Sequence, residues 1–261
     1  MGKALLHINS FGQGQDLVLL HGWGVNSEVF APLLPSLAEY RVHLVDLPGF
    51  GDSPELNDDI ESWITALAQQ LPKQAIWLGW SLGGLIASLV AIHHPQSVKA
   101  LVTIASSPCF MAKEQVGQAP WPGMSAKVLQ QFAKQLNNNL AKTVEQFLAI
   151  QAMGSPHAKA DIKTLKQLVL SKPLPSEATL ALGLHFLEQL DIRQQLPQIK
   201  QPWLRIWGRL DSLVPKTVMN NMPQQANMQD IMLTKASHAP FISHQQAFLE
   251  ELQPWLKQQA L

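Results

Sequence analysis

The chain has 261 residues, 46% apolar and 15% charged, with 19 basic and 19 acidic side chains and one cysteine, Cys109. That balance excludes a nucleic-acid binder acting through bulk charge, a disordered chain and a disulfide scaffold. No run approaches the roughly 18 uncharged apolar residues of a membrane span, and Met1 to His7 lack the apolar core of a secretory signal, so a soluble cytoplasmic protein is expected, with no membrane and no nucleic acid as partners; a monomer is the default expectation, which no residue pattern decides.

The elements alternate. Residues 3–9 are predicted as an edge strand. Asp16–Leu20 is an apolar run that ends in His21-Gly22-Trp23-Gly24, as a buried parallel strand does where it leaves its sheet. Val25–Ala38 suits a helix with Asn26 or Ser27 as cap. Val42–Asp46 is a strand, followed by the Gly- and Pro-rich loop Leu47–Ser53. Asp59–Leu71 is an amphipathic helix with Ile60, Trp63, Ile64 and Leu67 on one side. Ala75–Trp80 is an uncharged strand, and Leu85 onward an apolar helix. Lys99–Ala105 is the next strand.

Beyond Phe110 the alternation stops. Helical patterns follow at about Ser125–Asn138, Leu140–Met153, His157–Ser171 and Ser176–Leu190. Strand character returns at Trp203–Trp207 and Asp230–Leu233, and a last helix spans about Gln245–Gln258. The fold class is therefore α/β: a mostly parallel sheet flanked by helices, with an all-helical cap insertion. Residues 1–111 and 191–261 are expected to form the core and 112–190 the cap.

The organising stretch is Gly79-Trp80-Ser81-Leu82-Gly83. A G-x-S-x-G between a strand and a helix places the serine on a sharp turn at the strand tip, with helix N–H groups beside it. A serine hydroxyl needs a base, and the base needs a carboxylate to orient it. In this arrangement the partners follow as Asp, then His, each after a strand. Asp211 follows the Trp203–Trp207 strand and His238 follows the Ile231–Leu233 strand. The nearest competing carboxylate, Asp230, reads as preceding its strand, at the wrong end of the sheet. His7, His43, His93, His94, His157, His185 and His244 lie within strands, on helices or past the loop. His21 follows a strand but precedes Ser81. The expected triad is Ser81, Asp211 and His238, with the backbone N–H groups of Leu82 and Trp23 as oxyanion donors. The Trp23 ring could also wall an acyl pocket. No Cys/His cluster has metal-ligand spacing, and the glycines at 12 and 14 precede a strand, so neither a metal nor a cofactor is expected. Cys109 reads as a buried, inert thiol.

Five stretches carry a resemblance: His21-Gly-Trp-Gly, Asp46-Leu-Pro-Gly-Phe-Gly-Asp-Ser, Gly79-Trp-Ser-Leu-Gly-Gly, Ala105-Ser-Ser-Pro-Cys-Phe and Ser237-His-Ala-Pro-Phe-Ile-Ser-His. Together they resemble the α/β-hydrolase family. With Phe147-Leu-Ala-Ile-Gln-Ala-Met-Gly added, they look more narrowly like the pimeloyl-[acyl-carrier protein] methyl ester esterases. The resemblance implies an esterase that frees the distal carboxylate of a pimeloyl chain held on acyl carrier protein, releasing methanol. It further implies that Phe147, Leu148, Ala149, Ile150 and Gln151 join Trp23 in binding substrate.

The insertion points the same way on its own evidence. From Ala112 to Leu190 there are eight lysines, no arginine and five acidic residues, a net of +3 on a neutral chain. Lys159, Lys163 and Lys166 share one helix face, while Ile162, Leu165 and Val169 share another. Such a face either keeps the helix solvated or docks an acidic partner. In the resembled family the cap carries basic residues that meet the carrier, and Lys142, Lys159 and Lys163 stand at such positions. Two other readings stay open: a short-chain carboxylesterase, lactonase or other Ser-His-Asp hydrolase on the same scaffold, and a ligand receptor without turnover.

Overall fold

Apolar runs without polar alternation become central strands because a parallel sheet is covered on both faces. In the computed structural model, which describes residues 5–114, 120–136, 145–146, 148–149 and 157–260, seven strands form one sheet. They are β1 (Ile8–Phe11), β2 (Asp16–Leu20), β3 (Arg41–Val45), β4 (Ala75–Trp80), β5 (Val98–Ile104), β6 (Trp203–Gly208) and β7 (Met228–Leu233). Their spatial order is β1-β3-β2-β4-β5-β6-β7. β1 runs antiparallel to β3, and the other neighbouring pairs are parallel. The chain winds outward from β2 to β3, then jumps to β4 and winds the other way. Ligand crevices form at such a reversal, outside the carboxyl ends of the strands.

Helix α1 (Ile60–Gln70) starts where expected, because the Asp59 side chain accepts the Ser62 N–H at 2.7 Å. Helix α2 (Leu82–His93) is buried from Leu82 through Ala91, and its sequence has no polar face to turn outward. Two expectations shift. The edge strand falls at Ile8–Phe11 rather than 3–9, in the register that sets Ile8 against Val45 and Phe11 against Val42. Ser27–Leu37 is a 3-10 helix rather than an α-helix, since Pro32 and Pro35 remove amide donors from its interior.

Between β5 and β6 the described residues include helices α3 (Ala126–Leu136), α4 (Ala158–Val169) and α5 (Glu177–Gln189). The expected Leu140–Met153 helix lies almost wholly outside the described residues. α3 packs on α5, and α4 packs on the 3-10 helix Ser27–Leu37. Isolated bridges Met111↔Met124, Lys113↔Trp121 and Cys109↔Asp191 close the roots of the insertion. Asp191 takes the Arg193 guanidinium at 2.8 and 2.7 Å and Lys113 at 3.2 Å. The Arg193 hydrogen bonds, opposed by burial, bring its pKa down to about 2. Arg193 also lies 4.9 Å over the Trp121 ring.

Beyond β6 come α6 (Thr217–Asn221), α7 (Pro240–Ser243) and α8 (Gln245–Ala260); 3-10 turns at Pro95–Ser97 and Arg193–Gln198 lead into β5 and β6. The four- and five-residue helices are too short to show periodicity in a sequence. α4 also packs on α7, the short helix that follows His238.

Candidate active site

β4 ends at Trp80 and α2 starts at Leu82, leaving one residue for the reversal. Ser81 has φ 54° and ψ −118°, a conformation costing a non-glycine residue roughly 1–3 kcal/mol. The surroundings enforce it. A Cβ on Gly79 would lie 2.3 Å from the Gly83 carbonyl oxygen, and one on Gly83 would lie 2.3 Å from that of Leu20. Ser106 Oγ donates to the Ser81 carbonyl at 2.7 Å, and the Ser81 amide donates to Ile104 at 2.9 Å. The Ser81 hydroxyl does not cap α2. It meets His238 Nε2 at 3.0 Å.

Asp211 and His238 reach Ser81 from the next two strand ends. A Cβ on Gly208 would lie 2.1 Å from the Ser237 carbonyl oxygen, so the loops after β6 and β7 touch backbone to backbone. His238 Nδ1 lies 2.8 Å from Asp211 Oδ2. A carboxylate only accepts, so Nδ1 carries the proton, and the Nε2 lone pair faces the Ser81 hydroxyl. The other Asp211 oxygen accepts the N–H groups of Leu213 and Val214 at 2.8 and 2.9 Å. The Trp80 indole donates to the His238 carbonyl at 2.7 Å. Ser81, Asp211 and His238 are all buried. The three sequence-predicted side chains thus form one hydrogen-bonded line, in the tautomer that leaves a base beside a hydroxyl.

The loop after β2 lies against this line. A Cβ on Gly22 would lie 3.2 Å from Ser81 Cβ. Trp23 follows Gly22, and Leu82 opens α2, so both backbones border Ser81. The Trp23 ring is fully buried under α5: its Nε1 donates to the Leu180 carbonyl at 2.8 Å, and Gly183 leaves it room. Of the residues expected to bind substrate, Leu148 is buried and Ala149 exposed, while Phe147, Ile150 and Gln151 lie outside the described residues. Lys142 also lies outside them. Lys159 and Lys163 are exposed on α4, with Leu165 and Val169 buried on its inner side.

The competing groups have other partners. Asp230 does not precede β7 but sits within it, opposite Arg205 of β6. It takes the fully buried Arg205 guanidinium at 2.8 and 2.7 Å and the Trp207 indole N–H at 2.7 Å. Cys109 is buried, and burial first, then the Asp191 charge, raise its pKa. His7, Asp46 and Asp52 offer atoms at metal-ligand spacing, but Lys172 Nζ stands there, 2.8 Å from Asp46 and 3.7 Å from Asp52.

Residues 17–245 match the model of the alpha/beta hydrolase fold family. The pimeloyl-[acyl-carrier protein] methyl ester esterase of Shewanella woodyi is 60% identical over 252 residues, covering 96% of this chain and 97% of its own. The chain belongs to this esterase family of α/β-hydrolases. The relative of the same description from Aeromonas hydrophila is 49% identical over 249 residues, covering 93% of this chain and 96% of its own. Among solved structures, an esterase from Exiguobacterium antarcticum superposes with a TM-score of 0.83 at 23% identity, covering 98% of this chain and 100% of its own. An enol-lactonase from Burkholderia xenovorans superposes at 0.81 with 19% identity, covering 97% and 96%. At such identities the likeness shows the fold alone.

Two features of this α/β-hydrolase escape a sequence reading. Asp46 is fully buried; its oxygens accept the Ser27 and Asp52 N–H groups at 2.9 and 3.0 Å as well as Lys172. Burial alone would raise its pKa, but His21, the Asp52 amide, Lys172 and the Ser27 amide together lower it. The buried His21 ring accepts the Leu47 N–H through Nε2 at 3.0 Å and bonds the Gly22 carbonyl through Nδ1 at 2.7 Å. Burial outweighs Asp46 and the Gly22 carbonyl and lowers its pKa to about 4, so the ring is neutral at pH 7. The Gly-Pro loop and His21 were visible as motifs, but nothing in the chain order announces that Lys172, 126 residues on, meets Asp46.

Proposed function

We propose that this hydrolase cleaves the methyl ester of a pimeloyl chain carried on acyl carrier protein, by serine catalysis. The observation that carries the reading is the Ser81–His238–Asp211 line at the strand-to-helix turn. The names of the relatives support the substrate. Ser81 Oγ attacks the ester carbonyl carbon while His238 Nε2 takes its proton. Asp211 holds Nδ1–H and stabilises the imidazolium. The Trp23 and Leu82 N–H groups stabilise the tetrahedral oxyanion. The C–O bond to methoxy breaks as His238 returns the proton, and methanol leaves. Water then attacks the acyl-enzyme, passing its proton to His238; collapse frees the carboxylate and restores Ser81.

Residues 112–190 act as the cap in this reading, and Phe147, Leu148, Ala149, Ile150 and Gln151 with Trp23 hold the acyl chain. Lys142, Lys159 and Lys163 meet the acidic carrier, supported by the exposure of Lys159 and Lys163 on one side of α4. A single, buried cysteine supports a cytoplasmic setting. The test is paired: turnover of methyl pimeloyl-carrier protein and of a small free ester, in wild type and in Lys142→Glu/Lys159→Glu/Lys163→Glu, at low and high salt. Loss confined to the carrier substrate, and shrinking with salt, is expected. Equal turnover of carrier-bound and free ester by wild type would return the protein to the short-chain carboxylesterases.

A further inference from the structure

The loop that carries Trp23 is held from both sides. On the core side, His21 at its start accepts the Leu47 N–H at 3.0 Å, and Ser27 at its end donates its N–H to Asp46 at 2.9 Å. On the insertion side three of its residues are bonded. Trp23 Nε1 donates to Leu180 O at 2.8 Å, and Asn26 Nδ2 donates to Val169 O at 2.8 Å. Lys172 Nζ donates to Ser27 Oγ at 3.1 Å and to Asp46 Oδ2 at 2.8 Å. The Lys172 side chain is only 8% exposed, with Glu28 at 3.5 Å and Asp52 at 3.7 Å completing its surroundings. A lysine that merely solvated its segment would keep its ammonium in water. This one is desolvated against a buried carboxylate, which requires the charge pair and its hydrogen bonds to form together.

We propose that Lys172 is a positioning residue: by locking Asp46 and Ser27, it makes the oxyanion loop 21–27 register with the insertion, so acyl transfer at Ser81 depends on how the insertion is seated. This rests on the assignment of the Trp23 N–H as an oxyanion donor. Such donors act over fractions of an ångström, so a displaced loop loses transition-state stabilisation before it loses substrate binding.

The test compares wild type, Lys172→Met, Lys172→Arg and the double variant Asp46→Asn/Lys172→Met on a small p-nitrophenyl ester, which needs no carrier docking. Binding of a trifluoromethyl ketone, which forms the tetrahedral oxyanion on Ser81, is measured alongside. Lys172→Met should lower kcat about tenfold to a hundredfold with KM changed less than about threefold, and weaken the ketone in the same proportion. Lys172→Arg, which restores a cation, should recover most of kcat. If Lys172→Met does not fold, the double variant, with no unpaired buried charge, takes its place and should show the same fall in kcat. A folded Lys172→Met or double variant with wild-type kcat and ketone affinity overturns the proposal. Failure of the underlying assignment looks different: kcat would fall in Lys172→Met while the ketone bound as tightly as to wild type.

Discussion

Two Ser-His-Asp lines form among the described residues, and they differ in where the chain places the serine. In the second, Ser10 Oγ lies 2.8 Å from His43 Nδ1, and His43 Nε2 lies 2.7 Å from Asp16. His43 is as buried as a catalytic base need be. Distances alone do not separate this line from Ser81–His238–Asp211. The difference lies in where the chain places the serine. Ser10 is within β1, facing His43 across an antiparallel ladder, on extended backbone and exposed. Ser81 stands at a strand tip with φ 54°, buried, with a helix starting at the next residue and a glycine loop against its Cβ. A hydroxyl and a base make a proton path. A reacting carbonyl also needs donors for its oxyanion, which in the proposed mechanism come from the helix start and the second loop at Ser81 and which a mid-strand position cannot offer.

The comparison breaks most visibly at the two serines. Ser81→Ala should cut kcat by about 10⁶-fold while leaving the thermal transition near that of wild type, and Ser10→Ala should leave kcat as it was. Substantial turnover by Ser81→Ala, checked against a mock preparation, would remove the distinction drawn here.

The carboxylates sharpen it. Asp211→Asn should cost about 10⁴-fold in kcat through the wrong His238 tautomer. Asp230→Asn should instead cost about 3–5 kcal/mol of stability, by leaving the buried Arg205 poorly compensated, with kcat of the folded enzyme little changed. Kinetics and thermal melts on the pair read both. Exchanged effects would mean that Asp230 serves the base.

A third histidine gives a smaller, graded effect. His21 is neutral in the fold, with a pKa of about 4 against 6.5 when unfolded. The unfolded chain therefore takes up the proton first as pH falls. The contribution of this ring is whole above about pH 6.5 and is lost progressively towards pH 4, a total of roughly 3 kcal/mol. Urea titrations across that window should show the slope in wild type and a flatter one in His21→Gln. Asp46 and Lys172 face the same ring and remain in both proteins, so the difference isolates His21.

Smallest of all, His43→Gln should change turnover less than twofold, because its partners lie on the β1–β3–β2 edge, away from Ser81. A large loss of kcat with normal folding would show that the edge line communicates with the site.

Much of this was legible in the chain. Gly79, Ser81 and Gly83 between an apolar run and an apolar helix specify the turn, because a Cβ at either glycine collides with backbone wherever such a strand meets such a helix. The order of strand ends placed Asp211 and His238, since parallel strands bring their carboxyl ends to one edge. The apolar side of α1 and the buried face of α4 followed from a period of 3.6 residues. Position within an element was harder. Asp230 looked like a residue before a strand because three residues ahead of it, Asn227-Met228-Gln229, carry no strong strand pattern. It became a β7 residue only through pairing with Arg205.

What sequence alone determined is what depends on neighbours along the chain: the alternation of elements, the sharp turn at Ser81, and the place of Asp211 and His238 after strands. What tertiary structure decided is what depends on meetings across long separations. It placed Lys172 on Asp46 and the Leu180 carbonyl on the Trp23 indole. It also gave His43 and His238 similar bonds but only His238 a serine at a strained strand tip. Chain order carries no term for the cost of burying a charge or an amide without a partner. That cost is assessed only when the surfaces close, and it is what selected these pairings.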